Sequence, residues 1–355
     1  MEKKTKRRIW IPILSVFLAL VLVVAGYAIY LFASYYRLED NLTLDIVGSH
    51  DGVAETAKEY TIVTWNVGFG AYSDDYSFFM DGGKYSRAFS KQAAIDNMTA
   101  MATRVAEMDP DFVCIQEIDT DGTRTYHVDQ TAIMKEKLAG YNYDFAQNFD
   151  SPYLFYPFNS PHGKNVSGIM TFSEYTITSA LRRSFPVETG IIKIVDLDRC
   201  YSVSRIPVSN GKTLCLYNAH LSAYTSDGTV ATEQLKMIIA DMEAEYKAGN
   251  YVVCGGDFNK DLLGDSAAVF GVPFGDFNWA QPIPDGLIPD CLTLVACSNA
   301  PSCRNADKPY DDTNMILTTD GFLVSANVEV TFAEVVDEQF AHSDHNPVIM
   351  KFKLN

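Results

Sequence analysis

The chain has 355 residues, of which 47% are hydrophobic and 21% charged, and its formal net charge is −17. This composition is typical of a globular protein and excludes an intrinsically disordered chain. The acidic balance also disfavours a protein that grips nucleic acid through a broad basic face, because neutralisation of phosphates drives that binding.

The N-terminal segment differs from the rest of the chain. Basic residues cluster in positions 3–8, and no charged residue occurs from position 9 to position 34. A membrane-spanning helix needs about 20 apolar residues, whereas the apolar region of a cleaved signal peptide has roughly 7–15. Ala33 and Ser34 form only a weak cleavage site. We therefore predict a cytoplasmic basic segment at 1–8 and an uncleaved transmembrane signal anchor at 9–34.

The basic cluster also predicts the orientation of this anchor. Positive residues stay on the cytoplasmic side, so the N-terminus is expected in the cytoplasm and the rest of the chain outside a cell membrane that it crosses once. Residues 1–36 contain five of the 28 Lys and Arg and one of the 45 Asp and Glu, which leaves 23 basic against 44 acidic residues outside, a net charge of −21. This outer part would repel polyanions.

The outer part is predicted to be a juxtamembrane linker at 35–58 and one domain at 59–355. The linker is polar and lacks periodicity, and the domain is large enough for a single sizeable core. Its first elements are a strand at 60–65, a helix that Ser90 caps and that ends before Pro110, and a short buried strand at 111–116.

The remaining elements favour sheets over helices. Several strand-like runs lie within 165–219, with a turn at Asn210–Gly211. An amphipathic helix carries apolar residues from Leu235 to Tyr246, and an apolar strand follows at 251–254. Few helices and many strands predict an α+β fold in which two packed sheets carry helices on their outer faces.

Chemically capable side chains follow the predicted strands, where folds commonly place reactive groups. They are Asn66, Glu117, His220 and Asp257 with Asn259, and a further cluster, Ser343-Asp344-His345-Asn346, lies just before the final strand-like run at 347–351. Taken singly, Asn66 or Asp257–Asn259 could be ordinary turn residues, and His220 a structural histidine.

The order of these motifs along the chain is more specific than any one of them. The motifs are Trp65-Asn66, Gln116-Glu117, Asn218-Ala219-His220-Leu221, Gly256-Asp257-Phe258-Asn259, Asp320 before an apolar strand, and Ser343-Asp344-His345. Over residues 60–355 this order resembles the endonuclease/exonuclease/phosphatase superfamily. The resemblance implies a four-layer α/β/β/α sandwich and a metal-dependent phosphoesterase.

The resemblance also implies a metal site. Glu117 would be the principal ligand, with Asn66 beside it and Asp344 completing the shell. Glu117 supplies a hard oxygen of the kind that Mg²⁺ prefers, so Mg²⁺ or Mn²⁺ is the expected cofactor.

The same resemblance assigns the catalytic residues. Asp257 would orient the attacking water and Asn259 would bind a phosphoryl oxygen. His345 would act with Asp320, which fixes its tautomer through a hydrogen bond. His220 would contact the phosphate or act as a general acid. One departure from the family pattern concerns Asp320, which is followed by Gly321 and Phe322 instead of the usual aromatic neighbour.

Residues that bear on the substrate are less defined. Lys164, in a segment that departs from the family pattern, and Tyr153 are candidate substrate-binding residues. Aromatic residues cluster at 69–85 and at 153–158, where they could stack on bases, enter a bilayer interface or simply cover the sheets.

Three functions remain open from the sequence. The first is a membrane-anchored phosphodiesterase or phosphatase outside the cytoplasm, acting on a lipid head group or a small phosphoester. The second is a surface-anchored nuclease, which the acidic charge disfavours. The third is an inactive family member used as a binding module, which the complete set of motif residues disfavours. No protein partner is implied. A disulfide between Cys297 and Cys303 is also open.

Overall fold

The structure, a computed structural model, describes residues 2–187, 197–223, 229–272 and 279–355, and among residues 2–9 only the backbone. It begins with a long helix, α1 (Glu2–Ser34). Within α1 the stretch Trp10–Ser34 is long and apolar enough to cross a membrane. The prediction of a helix able to span a bilayer is therefore confirmed, whereas its orientation stays a prediction.

The remaining elements form the domain that follows. The strands are β1 (Leu42–Thr43), β2 (Glu59–Asn66), β3 (Phe112–Gly122), β4 (Asn142–Asp150), β5 (Asn165–Ser173), β6 (Ser179–Ser184), β7 (Cys200–Pro207), β8 (Thr213–His220), β9 (Tyr251–Asp257), β10 (Leu292–Val295), β11 (Cys303–Arg304), β12 (Ile316–Leu317), β13 (Asp320–Ser325), β14 (Val328–Val335) and β15 (Val348–Leu354). The helices are α2 (Lys91–Glu107), α3 (Gln130–Lys137), α4 (Thr229–Lys247) and α5 (Ser266–Phe270).

Two large sheets organise the described part of the domain. One has the order β1-β6-β7-β8-β9-β13-β10 and the other the order β14-β15-β2-β3-β5-β4. The strand pairs β2–β3 and β8–β9 are parallel. Because each parallel pair ends at one edge of its sheet, the last residues of these four strands are placed at two neighbouring edges.

The main core lies between the two sheets. Ile62 and Phe112 of one sheet belong to the same buried cluster as Leu216 and Val253 of the other. These strands are apolar on their inner faces, so stacking the sheets removes both faces from water, which is the main stabilising contribution to such a sandwich.

Helices cover the two outer faces. On one side, α2 and α3 pack Met98 and Met134 against Val113 of β3. On the other side, α4 packs Leu235 and Ile238 against β9. The layers are therefore α/β/β/α, and the predicted fold class is confirmed.

Three local features differ in how closely they follow the sequence pattern. Ser90 caps α2, since its side chain accepts a hydrogen bond of 3.0 Å from the backbone N–H of Ala93. The strand predicted at 111–116 is longer, because β3 continues to Gly122 through an irregularity in its pairing with β5. Glu117 therefore lies inside a strand and not after one. Cys297 and Cys303 are both free, so the disulfide left open by the sequence is not formed.

Candidate active site

Three polar side chains stand in a row across neighbouring strands of the larger sheet. His220 ends β8 and pairs in register with Asp257, which ends β9, and Asp257 pairs with Asp320, which begins β13. The parallel β8–β9 pair and the antiparallel β9–β13 pair thus bring two strand ends and one strand start to the same level. Residues far apart in sequence become direct neighbours.

Asn66 connects this row to the other sheet. Its Nδ2 donates hydrogen bonds to Asp257 Oδ2 at 3.0 Å and to Glu117 Oε1 at 3.2 Å. His220 Nε2 lies 3.6 Å from each of the same two carboxylates. Four of the residues identified in the sequence therefore converge on one point, at the edge where the two sheets meet.

The backbone around Glu117 is held in an uncommon conformation. Glu117 has a φ of 54°, in the left-handed region, at the irregularity between Ile115 and Ile118. Such a conformation costs on the order of 1 kcal/mol or more for a residue with a side chain and is often found at functional sites. Irregularities of this kind change the direction of a side chain. The Glu117 side chain faces the cleft and is 28% exposed.

Gly68 leaves room for a second carboxylate near Glu117. Its φ is +48°, and a Cβ added there would lie 2.9 Å from Asp344 Oδ1. The N–H of Gly68 donates to Asn66 Oδ1 at 3.0 Å, which fixes the amide so that its Nδ2 points at the carboxylates. A glycine suits this position because its φ is in the left-handed region and an added Cβ would lie still closer, at 2.7 Å, to Tyr72 Cδ2.

Asp257 and Asn259 form a tight turn after β9. The backbone N–H of Asn259 donates to Asp257 Oδ1 at 2.9 Å, and Asn259 Nδ2 donates to the carbonyl of Leu221 at 2.7 Å. This is the turn geometry that the sequence alone also allowed. Both side chains nevertheless line the cleft, so the turn holds two polar groups at its wall.

His345 and Asp320 form a buried pair. The ring Nδ1 of His345 lies 2.8 Å from Asp320 Oδ2, and Ser302 Oγ donates to the same oxygen at 2.7 Å. The other ring nitrogen, Nε2, is 3.8 Å from Asp257 Oδ2 and therefore faces the site. A carboxylate that fixes one nitrogen of an imidazole and leaves the other facing a reaction centre is a common arrangement in hydrolases.

The surroundings of the two histidines shift their pKa values in opposite directions. Burial disfavours a charged His345 ring, but Asp320, Cys303 and Asp257 together outweigh this and hold the pKa of His345 well above its usual value. Burial, the Arg199 guanidinium and His345 hold the pKa of His220 well below its usual value. A cationic His345 and a neutral His220 are the expected states at neutral pH.

The side chains around the carboxyl groups of the site neutralise little of their negative charge. Burial and the charge of Asp320 raise the pKa of Asp257 to about 6. Burial and the charge of Glu117 are among the factors that raise the pKa of Asp344 to about 7. Asp320 Oδ1 is buried without a hydrogen-bond partner. Carboxylates that repel one another in a buried site are stabilised by a bound dication, so the donor set fits a hard metal ion.

Two groups of residues are candidates for holding that ion. Ligand atoms of Asp257, Asp320 and His345 lie within 4.8 Å of one another. In this group, however, His345 and Asp320 each already use one potential ligand atom in their contact with one another. Glu117 and Asp344 are acidic side chains that face the cleft. They therefore suit a hard cation better than the group of Asp257, Asp320 and His345 does.

Most of these residues line a cleft of about 490 Å³, whereas Asn66 and Asp320 contact the lining residues without belonging to the lining. This volume is in the range of small-molecule sites. One wall is polar and holds the residues described above. The other wall is aromatic and includes Phe69, Tyr72, Phe78 and Phe79, together with Tyr27 and Leu31 from α1.

Arg199 is a residue of the cleft that the sequence did not reveal. It is 3% exposed, and its Nε and Nη1 atoms are buried without a hydrogen-bond partner. Arg124, also in the lining, is instead paired with Asp119 at 2.7 Å. The sequence Asp196-Leu197-Asp198-Arg199 is typical of an exposed loop, so no local signal distinguishes this arginine. An uncompensated guanidinium in a cleft is a site for an anion such as phosphate.

The two candidate substrate-binding residues lie elsewhere. Lys164 is exposed, and its Nζ is 3.5 Å from Asp150 Oδ1. Tyr153 contacts α1, because its carbonyl accepts a hydrogen bond of 3.0 Å from the hydroxyl of Tyr27. Among the described residues that line the cleft, neither is present.

The two aromatic clusters also differ in their surroundings. In the first, Phe69, Tyr72 and Tyr76 are buried and pack on one another. In the second, Tyr156 is 63% exposed and Phe158 is 84% exposed. The first cluster is therefore a wall of the cleft, and the second projects from the surface.

Comparisons with known proteins agree with this architecture. A family model described as "Endonuclease/Exonuclease/phosphatase family" matches residues 63–345. A search of curated protein sequences finds no match.

Solved structures show the same fold at low sequence identity. An endonuclease/exonuclease/phosphatase from Beutenbergia cavernae DSM 12333 has a TM-score of 0.59 at 17% identity, over 84% of this chain and 72% of that one. ANGEL2, a 2',3'-cyclic phosphatase in complex with adenosine-2',3'-vanadate, has a TM-score of 0.56 at 15% identity, over 88% of this chain and 99% of that one. D. rerio TDP2, complexed with a single-strand DNA product, has a TM-score of 0.53 at 16% identity, over 83% and 99% of the two chains.

Proposed function

Because the chain belongs to the endonuclease/exonuclease/phosphatase family and is a metal-dependent phosphoric ester hydrolase, we propose a location and a substrate class for it. It acts outside the cytoplasm on the phosphoester of a lipid head group or of another small molecule. The proposal rests on the convergence of Glu117, His220 and Asp257, which line the cleft, with Asn66, which holds two of them, through contacts of 3.0–3.6 Å. The His345–Asp320 pair stands beside them.

The proposed metal site is formed by Glu117, Asn66 and Asp344. The carboxylates supply the hard oxygens that Mg²⁺ or Mn²⁺ takes, and Asn66 holds Glu117 in place through its hydrogen bond. When bound, the ion would neutralise charge that develops on the phosphoryl group. The need for this neutralisation is supported by the mutual repulsion of the buried carboxylates.

The proposed hydrolytic residues surround the position of the phosphorus. Asp257 accepts a hydrogen bond from the attacking water and orients it. Asn259 donates to a phosphoryl oxygen the amide hydrogen that otherwise faces Asp257 Oδ2 at 3.3 Å. Cationic His345 places its Nε2 proton toward the site and stabilises the charge of the transition state, since Asp320 holds the opposite nitrogen. This arrangement is worth several kcal/mol only because the donors are already in position when charge develops.

His220 and Arg199 have complementary proposed roles. A neutral His220 donates a hydrogen bond to the phosphate, which favours the phosphate-contact role over the general-acid role. Arg199 supplies the cationic partner of a phosphoryl oxygen, since two of its buried nitrogen atoms have no other partner. Together they give the site affinity for a phosphate whatever alcohol is attached to it.

The substrate class is supported by charge and by the cleft. The net charge of −21 on the part after residue 36 disfavours long nucleic acids, and the aromatic wall suits an apolar substituent on the phosphate. A surface nuclease remains the alternative, because D. rerio TDP2, which shares the fold, was solved with a DNA product.

The first test is Glu117→Gln, which keeps the shape of the side chain and removes its charge. Hydrolysis of bis-p-nitrophenyl phosphate by the full-length protein should fall by about two orders of magnitude or more, and Mn²⁺ binding measured by calorimetry should weaken. EDTA should abolish activity and Mg²⁺ or Mn²⁺ should restore it. Glu233→Gln, the same change at an exposed position of α4, serves as the control. Full activity in EDTA would overturn the proposal.

A substrate panel then separates the alternatives. Sphingomyelin, phosphoinositides, bis-p-nitrophenyl phosphate and plasmid DNA should be compared at equal metal concentration. Hydrolysis of the lipids or the small diester, with little cleavage of DNA, is the expected result. Preferential cleavage of plasmid DNA would establish the nuclease instead. Metal binding without any turnover would favour the binding module.

A further inference from the structure

The C-terminal end of α1 is joined to the exposed aromatic segment of the domain. The backbone N–H of Tyr153 donates to the hydroxyl of Tyr30 at 2.8 Å, and the hydroxyl of Tyr27 donates to the Tyr153 carbonyl at 3.0 Å. The rings of Tyr27 and Phe155 meet edge to face at 5.2 Å between centroids. The position of α1 in a bilayer would therefore determine how deep the segment around Tyr153 and Phe155 lies in the membrane.

The spacing of aromatic residues along α1 indicates that depth. At a rise of about 1.5 Å per residue, Trp10 and Tyr30 are about 30 Å apart along the helix axis, close to the thickness of a hydrocarbon core. Trp and Tyr concentrate at the two membrane interfaces. Tyr27 and Tyr30 therefore belong at the outer interface, and the segment bound to them lies at the level of the lipid head groups.

The surface of this segment suits that level. Phe155, Tyr156 and Phe158 are 48%, 63% and 84% exposed, which is unusual for three large apolar side chains so close together. Residues 151–161 contain no charged side chain, so insertion of the segment would leave no charge to be desolvated. We call residues 153–158 the aromatic rim.

The aromatic rim is continuous with the cleft. Phe155 and Tyr156 line the cleft, as do Tyr27 and Leu31 of α1. The Tyr156 ring also contacts Phe79 of the aromatic wall, at 5.8 Å between centroids. The mouth of the cleft is therefore bordered by the same side chains that would face the bilayer.

We infer that the aromatic rim inserts into the outer interface of the bilayer that holds α1, and that the cleft takes its substrate, a phospholipid, directly from that leaflet. The inference rests on the proposed function and specifies its substrate class. The phosphate of the lipid reaches the polar floor, and its apolar part remains along the aromatic wall and α1. A second protein is a less suitable occupant, because the residues that would bind it are tied to a helix with membrane-spanning character.

The position of the aromatic rim can be measured without any assay of activity. All seven cysteines lie in the described ranges, and Cys291 is the one that is not buried. In a Cys291→Ser background, nitroxide labels at Phe158→Cys and at Phe332→Cys should be compared in full-length protein reconstituted into phosphatidylcholine–phosphatidylethanolamine vesicles. Phe332 is 42% exposed and lies on β14, outside the cleft lining.

The label at position 158 should be relaxed more by oxygen than by a water-soluble nickel chelate, because oxygen concentrates in the apolar part of a bilayer. The label at position 332 should show the opposite preference. Equal accessibility of the two labels to the nickel chelate would overturn the inference.

Activity on two substrates supplies the second measurement. Phe158→Asp should lower the release of water-soluble phosphorus from the vesicles by about tenfold, because a charge opposes insertion of the rim. Hydrolysis of bis-p-nitrophenyl phosphate should stay within about twofold of the wild type, because Phe158 lies outside the cleft lining. Phe332→Asp should change neither rate.

The outcomes of this assay separate the inference from the proposed function. Equal losses on both substrates, or hydrolysis of the soluble diester without any hydrolysis of vesicle lipid, would overturn the phospholipid inference and leave the hydrolase intact. Failure of the wild type to hydrolyse either substrate in the presence of Mg²⁺ or Mn²⁺ would remove the proposed function, and the inference with it.

Discussion

At the scale of single residues, the His345–Asp320 pair is the best-defined feature of the site. Asp320 is fully buried and accepts hydrogen bonds from Ser302 and Thr319 on the oxygen that faces His345. These contacts orient the carboxylate before any substrate arrives. The imidazole therefore has one permitted orientation, with Nε2 toward Asp257.

A double-mutant cycle tests whether the pair acts as one unit. His345→Ala should abolish most turnover, and Asp320→Asn should remove much of it because an amide permits the wrong tautomer. The double variant should be scarcely worse than His345→Ala alone, since residues that act together are strongly non-additive. The measurement is kcat/KM on bis-p-nitrophenyl phosphate. Losses that multiply would mean that Asp320 acts independently of the histidine.

Arg199 provides a second prediction at this scale. Arg199→Met should lower kcat/KM by about 100–1,000-fold, as expected for loss of one charge-stabilising donor, and Arg199→Lys should recover part of it. Arg104→Met removes an exposed arginine on α2 and should leave kcat/KM unchanged. The effect should also appear as weaker inhibition by inorganic phosphate. An Arg199→Met protein with wild-type phosphate inhibition would show that this arginine does not bind the anion.

At the scale of secondary-structure elements, β4 and β7 meet through a buried carboxyl group. Asp144 Oδ2 accepts a hydrogen bond of 2.5 Å from Ser204 Oγ, while Asp144 Oδ1 is buried without a partner. Burial raises the pKa of Asp144 to about 7 from the usual 3.8. The folded protein thus holds this proton at pH values where the unfolded chain has released it.

The sign of the resulting pH effect follows from that difference. Below about pH 4 the group is neutral in both states and has no effect on stability. As pH rises from about 4 to 7, the unfolded chain loses the proton first, so the free energy of unfolding falls, by on the order of 4 kcal/mol in total. Above pH 7 the loss is complete.

Asp144→Asn should remove this dependence while keeping the side-chain shape. We expect the Tm of the variant to exceed that of the wild type by a larger margin at pH 8 than at pH 5, where only part of the effect has developed, measured on the full-length protein in mild detergent. Asp75→Asn, at an exposed carboxylate, is the control. A Tm difference of the same size at both pH values would indicate that the substitution acts through packing.

At the scale of the whole molecule, the arrangement of α1 and the domain predicts a protein that stays in the membrane. The full-length protein should remain in the membrane fraction through a carbonate wash, because the apolar stretch Trp10–Ser34 is long enough to span the bilayer. Protease added outside intact cells should remove the domain after Tyr36. A soluble mature form beginning near Tyr35 would instead identify a cleaved signal.

The elements that depend on local pattern could be predicted from the sequence alone. The long apolar run of α1, the Ser90 cap of α2 and the apolar strands are all properties of neighbouring residues, so periodicity and capping predict them. The ordered motifs also pointed to Asn66, Glu117, His220, Asp257 and the His345 cluster, because each lies in or next to a strand.

Which of these residues contact one another depends instead on the tertiary structure. Asn66 and Asp257 are 191 positions apart, and Tyr27 and Tyr153 are 126 apart. No local periodicity encodes such contacts, since they arise from the pairing of strands and the stacking of two sheets. The same packing turns Arg199 from an apparent surface charge into a buried cation beside His220, and it brings the end of α1 to the mouth of the cleft.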